Sequence, residues 1–351
     1  MNEEKMNKDE IVTYIINKFG NEPVTKTQLD LISSELNIPF PSWLTVSENR
    51  ISRGLYKMPS KNVKESLIPE KDEFFEKFGF FNDIKNIIKS KKFFPIFISG
   101  QSGLGKTHAV LQACSELKRE VIRINFSPDT DQYDLIGSNT LVDGNIVFNE
   151  GPVISAMKTG AILLMDDVDR CSGSTLTSLL SVMEGNGLYL TKTGEHIKPV
   201  PGFNIIVTAN TKGYGDDTGK YLAQILDSAF LERFPVTFEQ TFPPEKVELK
   251  ILQNYLDDNE FINNLIKWAN IIRKTYENGG IDEIISTRRL IHIAKSYDMF
   301  KDKKKSIMLC CSRFDSHIKN AFIDLYEKID ENLIDENGDE ISTTDISDQM
   351  S

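Results

Sequence analysis

Residues 100–107 read Gly-Gln-Ser-Gly-Leu-Gly-Lys-Thr, a spacing in which three glycines let the backbone turn tightly and aim its N–H groups inward. That is the chemistry of a phosphate cradle. The Lys106 ammonium is the charge for the β- and γ-phosphates of a nucleoside triphosphate, and the Thr107 hydroxyl is a ligand for Mg²⁺. The expected nucleotide-binding set is Gly100, Gln101, Ser102, Gly103, Leu104, Gly105, Lys106, Thr107 and the adjoining His108. A second run, Ile162-Leu163-Leu164-Met165-Asp166-Asp167-Val168-Asp169, is apolar and then abruptly acidic. Asp166 is the expected Mg²⁺ ligand, and Asp167 is placed to orient and polarise an attacking water. Asn210 ends the run Val207-Thr208-Ala209-Asn210 and falls at a C-terminal strand edge, where ligands of doubly wound sheets sit. Arg233, in Phe230-Leu231-Glu232-Arg233-Phe234, is a candidate arginine finger for a neighbouring subunit's γ-phosphate. Its plainer alternative is an ion pair with Glu232 or another acid. Lys106, Asp167, Asn210 and Arg233 form the expected catalytic set. Arg288 and Arg289 open a later helix, and one of them is placed to touch the nucleotide.

Elements must hold these side chains. Residues 93–99 are a short apolar run suited to a buried parallel strand, and Lys106 to Leu117 fits a helix whose N-terminus points at the phosphates. Further strands are expected at 120–126, 161–166, 203–209 and 235–239, with helices at 106–118, 152–159 and 173–184. This alternation predicts an α/β fold, a parallel five-stranded sheet between helices, with its core over residues 76–240. Two β-hairpins interrupt it, at 139–149 around Asp143-Gly144 and at 188–200 turning near Gly194. Past Pro243-Pro244 the pattern turns helical, at 245–256, 259–277, 287–298 and 304–328, which predicts a helical lid and C-terminal helices over 241–328. Residues 1–60 read as a separate module of three short helices, a small bundle or winged-helix-like unit, joined through a linker over 61–75. From Asp330 to Ser351 there are eight acidic and no basic residues, so 329–351 reads as a solvated, disordered tail.

The chain has 351 residues and a formal net charge of −11, which argues against a protein-wide nucleic-acid footprint. Residues 1–60 leave such binding open, although acids and bases balance there. No apolar run is long enough for a membrane helix, and the polar N-terminus shows no secretory signal. Cys114, Cys171, Cys310 and Cys311 have no metal-ligand spacing, and a reducing cytoplasm fits them best. The four lysines of residues 301–305 read as a solvated helix end or loop. The Lys-, Asn- and Ile-rich composition points to a low-GC bacterial or phage setting, with action in a host cytoplasm in the latter case.

Over residues 76–300 the pattern resembles the MoxR-like AAA+ P-loop ATPases, and most closely the small ATPase subunits of aerobic cobaltochelatases and their phage-encoded relatives. The resemblance is carried by the two motifs above, by Asp134-Leu135-Ile136-Gly137 and Glu150-Gly151-Pro152, and by Thr208-Ala209-Asn210-Thr211 followed by Gly213, Gly215-Asp216, Thr218-Gly219 and Tyr221. It implies ATP and Mg²⁺ as ligands, sensor roles for Asn210 and for Arg288 or Arg289, and the finger role for Arg233. It also implies a hexameric ring with ATP at subunit interfaces, hairpins facing a substrate, and a partner bearing a von Willebrand A-type domain. One position departs from the family, whose acidic pair usually ends Asp-Glu: Asp167 sets its carboxylate back by about 1.5 Å, one C–C bond. Three readings follow. The first is an ATP-driven motor that remodels or assembles a partner protein. The second is a nucleotide-gated oligomeric scaffold with little hydrolysis, and the third a nucleic-acid-associated motor.

Overall fold

The computed structural model describes residues 8–19, 23–46, 49–56, 66–142, 145–216, 219 and 221–331. The expected hairpin turn at Asp143-Gly144, Thr218 of the long motif, the first part of the linker and the acidic tail beyond residue 331 lie outside them. The chain divides into two compact units, Met1–Glu65 and Ser66–Ser351.

Among its described residues the first unit has two helices, Lys8–Phe19 and Lys26–Glu35, a 3₁₀ turn at Ser42–Leu44, and a small antiparallel sheet of Val24–Thr25, Leu55–Tyr56 and Arg50–Ser52 in that spatial order. Thr25 and Gln28 form a reciprocal capping box that starts the second helix. Ile11, Ile15, Val24, Leu29, Ile32 and Leu44 fill its core. Among the described residues of the Trp43–Ile51 stretch the expected third helix is replaced by a 3₁₀ turn and a strand. Pro41 (φ −75°, ψ 68°) sits in a tight turn in which Ser42 N donates to Phe40 O at 2.7 Å, one 3₁₀ turn follows, and Ile51 enters a strand.

The second unit is built on five parallel strands: β1 Ile96–Ser99, β2 Val121–Asn125, β3 Ile162–Asp166, β4 Asn204–Thr208 and β5 Val236–Glu239. Their spatial order is β5-β1-β4-β3-β2. β1, β3 and β4 are buried along their whole length, as expected for strands covered on both faces. One face packs Ile84, Ile88, Val110, Ala113 and Cys114 against Ile96, Ile98, Leu164 and Ile206. The other packs Val153, Met157, Leu176, Leu179 and Phe230 against Phe97, Leu163, Met165, Ile205 and Val207. A third core, around Trp268, Phe261, Leu290 and Phe322, lies within the C-terminal helices.

Register is what builds the site. Asn125 pairs with Asp166 across β2 and β3, and Val207 pairs with Met165 across β4 and β3. The C-terminal ends of β1, β3 and β4 therefore deliver the phosphate loop, the acidic pair and Thr208–Asn210 to one edge of the sheet. The hairpins run Gly137–Val142 with Asn145–Glu150, and Leu188–Leu190 with Glu195–Ile197.

Four boundaries differ from the sequence expectation. The linker does not reach residue 75: Val121 N donates to Leu67 O at 2.9 Å, and Asp72 N donates to Gln112 Oε1 at 2.9 Å, so residues from 66 onward belong to the second unit. Helix 173–184 is broken into Gly173–Thr177 and Leu180–Met183. The helix expected over 245–256 stops at Gln253. Helix 304–328 is two helices, Lys303–Cys311 and Ser316–Asp330, because Asp315 caps the second by accepting from His317 N.

Candidate active site

The phosphate loop leaves β1 and enters the helix Lys106–Glu116. Gly100 sits at φ 142°, and a Cβ there would meet Gln240 O at 2.5 Å. Gly103 sits at φ 86° with Ser286 Oγ only 2.7 Å from an added Cβ. Both positions thus need glycine for conformation and for space. Leu104 is buried, and the Gln101 Oε1 is buried without a hydrogen-bond partner among the described residues.

Lys106 is 6 % exposed. Its Nζ donates to Gly100 O at 2.5 Å, Gln101 O at 3.0 Å and Asn210 Oδ1 at 3.1 Å. All three partners are neutral oxygens. Burial pushes its pKa down to about 8, against the pull of Asp167, Asp169 and Asp166. A buried ammonium with no salt-bridged anion among the described residues, ringed by a loop that presents backbone N–H groups, fits the polyphosphate of a nucleotide.

Asp166, at the end of β3, is almost wholly buried. Its Oδ1 accepts from Thr107 Oγ1 at 2.6 Å and from Thr208 Oγ1, and its Oδ2 takes the Arg123 guanidinium, with Nε at 3.1 Å. Burial pushes this carboxyl up, but the hydrogen bonds from Thr107, Thr208 and Arg123 outweigh it and hold it below the ordinary aspartate range. The Thr107–Asp166 pair fits a divalent cation, and Arg123 is the cation the carboxylate carries here. Asp167 follows with φ 56°, a left-handed conformation that aspartate tolerates. Its N–H donates to Thr208 Oγ1 at 3.1 Å and its Oδ1 accepts from Asn210 Nδ2 at 3.0 Å. Burial, and next the charge of Asp166, raise the pKa of Asp167. The two carboxylates thus have opposite tendencies, one held ionised and one more basic. Lys106, Asn210 and Asp167 form one hydrogen-bonded chain.

Several residues of this cluster were not singled out by sequence reasoning. Thr208 ties the Asp166 carboxylate to the backbone N–H of Asp167, and its place beside Asp166 follows only from strand register. Arg123 lies mid-strand with no motif around it. Asp169 Oδ2 accepts from Asn210 N, Thr211 N and Thr211 Oγ1, at 2.9, 2.9 and 3.0 Å, and so fixes the loop after β4; the third acid of the Asp-Asp-Val-Asp run was its signal.

Two cavities flank the loop. One, about 320 Å³, is lined by Phe74, Phe75, Leu104, His108, Tyr255 and Ile291 among others, and suits a flat apolar ring system. His108 Nε2 lies 3.0 Å from Asp72 Oδ2 there. The other, about 550 Å³, lies between Gln101-Ser102-Gly103 and the C-terminal helices. The two candidate lid arginines part here. Arg288 lines both cavities, and its N–H donates to Gly103 O at 3.4 Å. Arg289 also borders the larger cavity, but its Nη1 donates to Cys310 O at 2.6 Å and its guanidinium lies over the Phe314 ring. Arg233 does not join the cluster. Its Nη2 pairs with Glu184 at 2.8 Å, its Nη1 donates to Ala229 O, and its Nε is buried without a partner among the described residues.

Residues 95–234 match the AAA domain of the dynein-related subfamily, and residues 248–320 match the CbbQ/NirQ/NorQ C-terminal domain. The chain belongs to the MoxR-like AAA+ ATPases. This family assignment makes it a P-loop nucleoside-triphosphate hydrolase. Among curated proteins, this AAA+ chain is 27 % identical to the aerobic cobaltochelatase subunit CobS of a Sinorhizobium species over 219 residues, covering 59 % of the chain and 66 % of CobS. It is 31 % identical to a protein of Staphylococcus epidermidis over 222 residues, covering 61 % of the chain and 81 % of that protein. Among solved structures it is similar to the RuvB Holliday junction branch migration motor of Thermotoga maritima, at 18 % identity and TM-score 0.42, covering 82 % of this chain and 80 % of RuvB. Among the described residues, no helix is long and apolar enough to cross a membrane.

Proposed function

We propose that this AAA+ ATPase binds ATP with Mg²⁺ at subunit interfaces of a ring, a hexamer on the family pattern, and spends hydrolysis on remodelling or assembling a partner protein. The observation that carries the nucleotide reading is the buried Lys106 ammonium linked through Asn210 to the basic carboxylate of Asp167. In this reading Lys106 and the loop amides bind the phosphates, and Arg288 closes on them from the lid. Asn210 holds the Asp167 carboxylate, which orients water and accepts its proton. Mg²⁺, held by Thr107 and Asp166, supplies charge neutralisation of the phosphate oxygens.

Arg233 is absent from its own subunit's cluster, which supports a role in the neighbour's site. A client protein is supported by the first hairpin, where the cross-strand pair Leu141 and Ile146 is 74 % and 75 % exposed. The similarity to a cobaltochelatase subunit favours a multi-protein assembly, and a von Willebrand A-type partner is the first to seek by co-purification. The deciding experiment is ATP turnover per subunit against protein concentration. Turnover that rises with concentration and is lost in Arg233→Ala is expected. Equal turnover per subunit at every dilution would refute the shared site.

The left-handed, short-armed Asp167 favours a second reading, a ring that binds ATP and scarcely turns it over. Asp167→Glu separates the two, since it raises turnover at least tenfold only if carboxylate reach limits the chemistry.

A further inference from the structure

Tyr221 lies outside the machinery described so far, yet it reaches the phosphate loop. Its hydroxyl accepts from Ser102 N at 3.4 Å across 119 residues of sequence. Its own N–H is held by Asp216 Oδ2 at 2.6 Å, which fixes the ring's approach. The segment that carries it is rooted on Asp169, which takes Thr211 N and Thr211 Oγ1 at one end and, through its carbonyl, Gln224 N at the other. The ring is half-buried in the wall of the larger cavity, beside Gln101 and Ser102 and facing the lid wall that holds Arg288.

A phenol is both donor and acceptor. Here a loop amide uses the acceptor side, which leaves the O–H free to turn into the cavity. No carboxylate receives it among the described residues. Burial raises the hydroxyl's pKa, so it keeps its proton at neutral pH.

We propose that Tyr221 is a phosphate-contacting residue that distinguishes nucleotide triphosphate from diphosphate. It donates its O–H to the terminal phosphate held between Lys106 and Arg288, while Ser102 N fixes the oxygen in place. This inference rests on the nucleotide-site reading above, because it needs the phosphates in that loop. It gives Tyr221 a direct contact with the nucleotide, and nearby in sequence Tyr214, Leu222 and Ile225 are all more than 70 % exposed.

The test is equilibrium binding of a non-hydrolysable ATP analogue and of ADP, by displacement of a fluorescent nucleotide, to the full chain and to Tyr221→Phe. The phenylalanine keeps the ring, and an unchanged Tm confirms the fold. The expected result is about tenfold weaker binding of the triphosphate analogue with ADP affinity kept within twofold, as for one lost hydrogen bond to a charged group. Equal affinities in variant and wild type, or equal losses for both nucleotides, overturn the assignment of Tyr221 while leaving the nucleotide site intact. Failure of the wild type to bind either nucleotide overturns the site and this inference with it.

Discussion

Lys106 pays for its position with its basicity. Its folded pKa of about 8 lies below the ordinary 10.5, so below pH 8 the fold carries a buried charge that it disfavours. Between about pH 8 and 10.5 the unfolded chain holds a proton that the folded chain has released, and this group's contribution to stability rises with pH across that window. Nucleotide binding has the opposite demand, since the phosphates need the charged form. Affinity for ATP should therefore be flat up to about pH 8 and then fall, approaching tenfold per pH unit, as measured by titration with a fluorescent nucleotide. Lys106→Met should abolish that binding and still raise the Tm of the nucleotide-free protein by a few degrees at neutral pH. A raised pKa on Asp167 likewise displaces the acidic limb of turnover upward from the usual aspartate range. Thr208→Val keeps the side-chain shape but removes a donor to Asp166 and an acceptor for Asp167 N. It should cost about 1–3 kcal/mol in urea denaturation and lower turnover more than tenfold.

At the scale of elements, the C-terminal helices are joined through a buried ion pair. Glu248 and Arg273 are 0 % and 4 % exposed, with both carboxylate oxygens 2.8 Å from the guanidinium. Thr287 Oγ1 adds a hydrogen bond to Glu248 at 2.7 Å, and Arg273 Nε donates to Ile285 O. Helices Glu245–Gln253, Asn259–Glu277 and Thr287–Phe300 are thereby joined immediately beside Arg288. Glu248→Ala strands the arginine and should destabilise the chain by about 3–5 kcal/mol. Glu248→Gln, the milder variant, should weaken ATP binding through a loosened Arg288, a change read in Kd.

Strand and helix order of the second unit was legible because the apolar runs 93–99, 161–166 and 203–209 are long and bounded by turn residues. The phosphate loop and the acidic pair were legible because their chemistry is local in sequence. What escaped was set by pairing across distance. Thr208 meets Asp166 through strand register, and the apolar cavity joins residues 72–78 to Tyr255 and Ile291. Choosing Arg288 over Arg289 required knowing which face of the lid helix meets Gly103. Expecting a helix where the described residues after Pro41 form a 3₁₀ turn and a strand was an error of period, since a short apolar stretch suits both equally well.

Over the whole molecule, concentration is the variable that matters, because Arg233, the arginine proposed for a neighbouring subunit's γ-phosphate, is bound to Glu184 within its own chain. Glu184→Gln should release it and lower the protein concentration at which turnover reaches half its maximum, provided subunits share sites. The thiols add a separate handle. Cys114, Cys171 and Cys311 are free and buried, one in each of the three apolar cores of the second unit. Burial raises all three, Cys114 and Cys311 to about 12, so none has a reactive thiolate while its core is closed. The chain thus carries its own set of clocks. Pulsed alkylation followed by peptide mass spectrometry would time the opening of each layer separately, and added nucleotide should slow the two sheet-face clocks more than the lid clock.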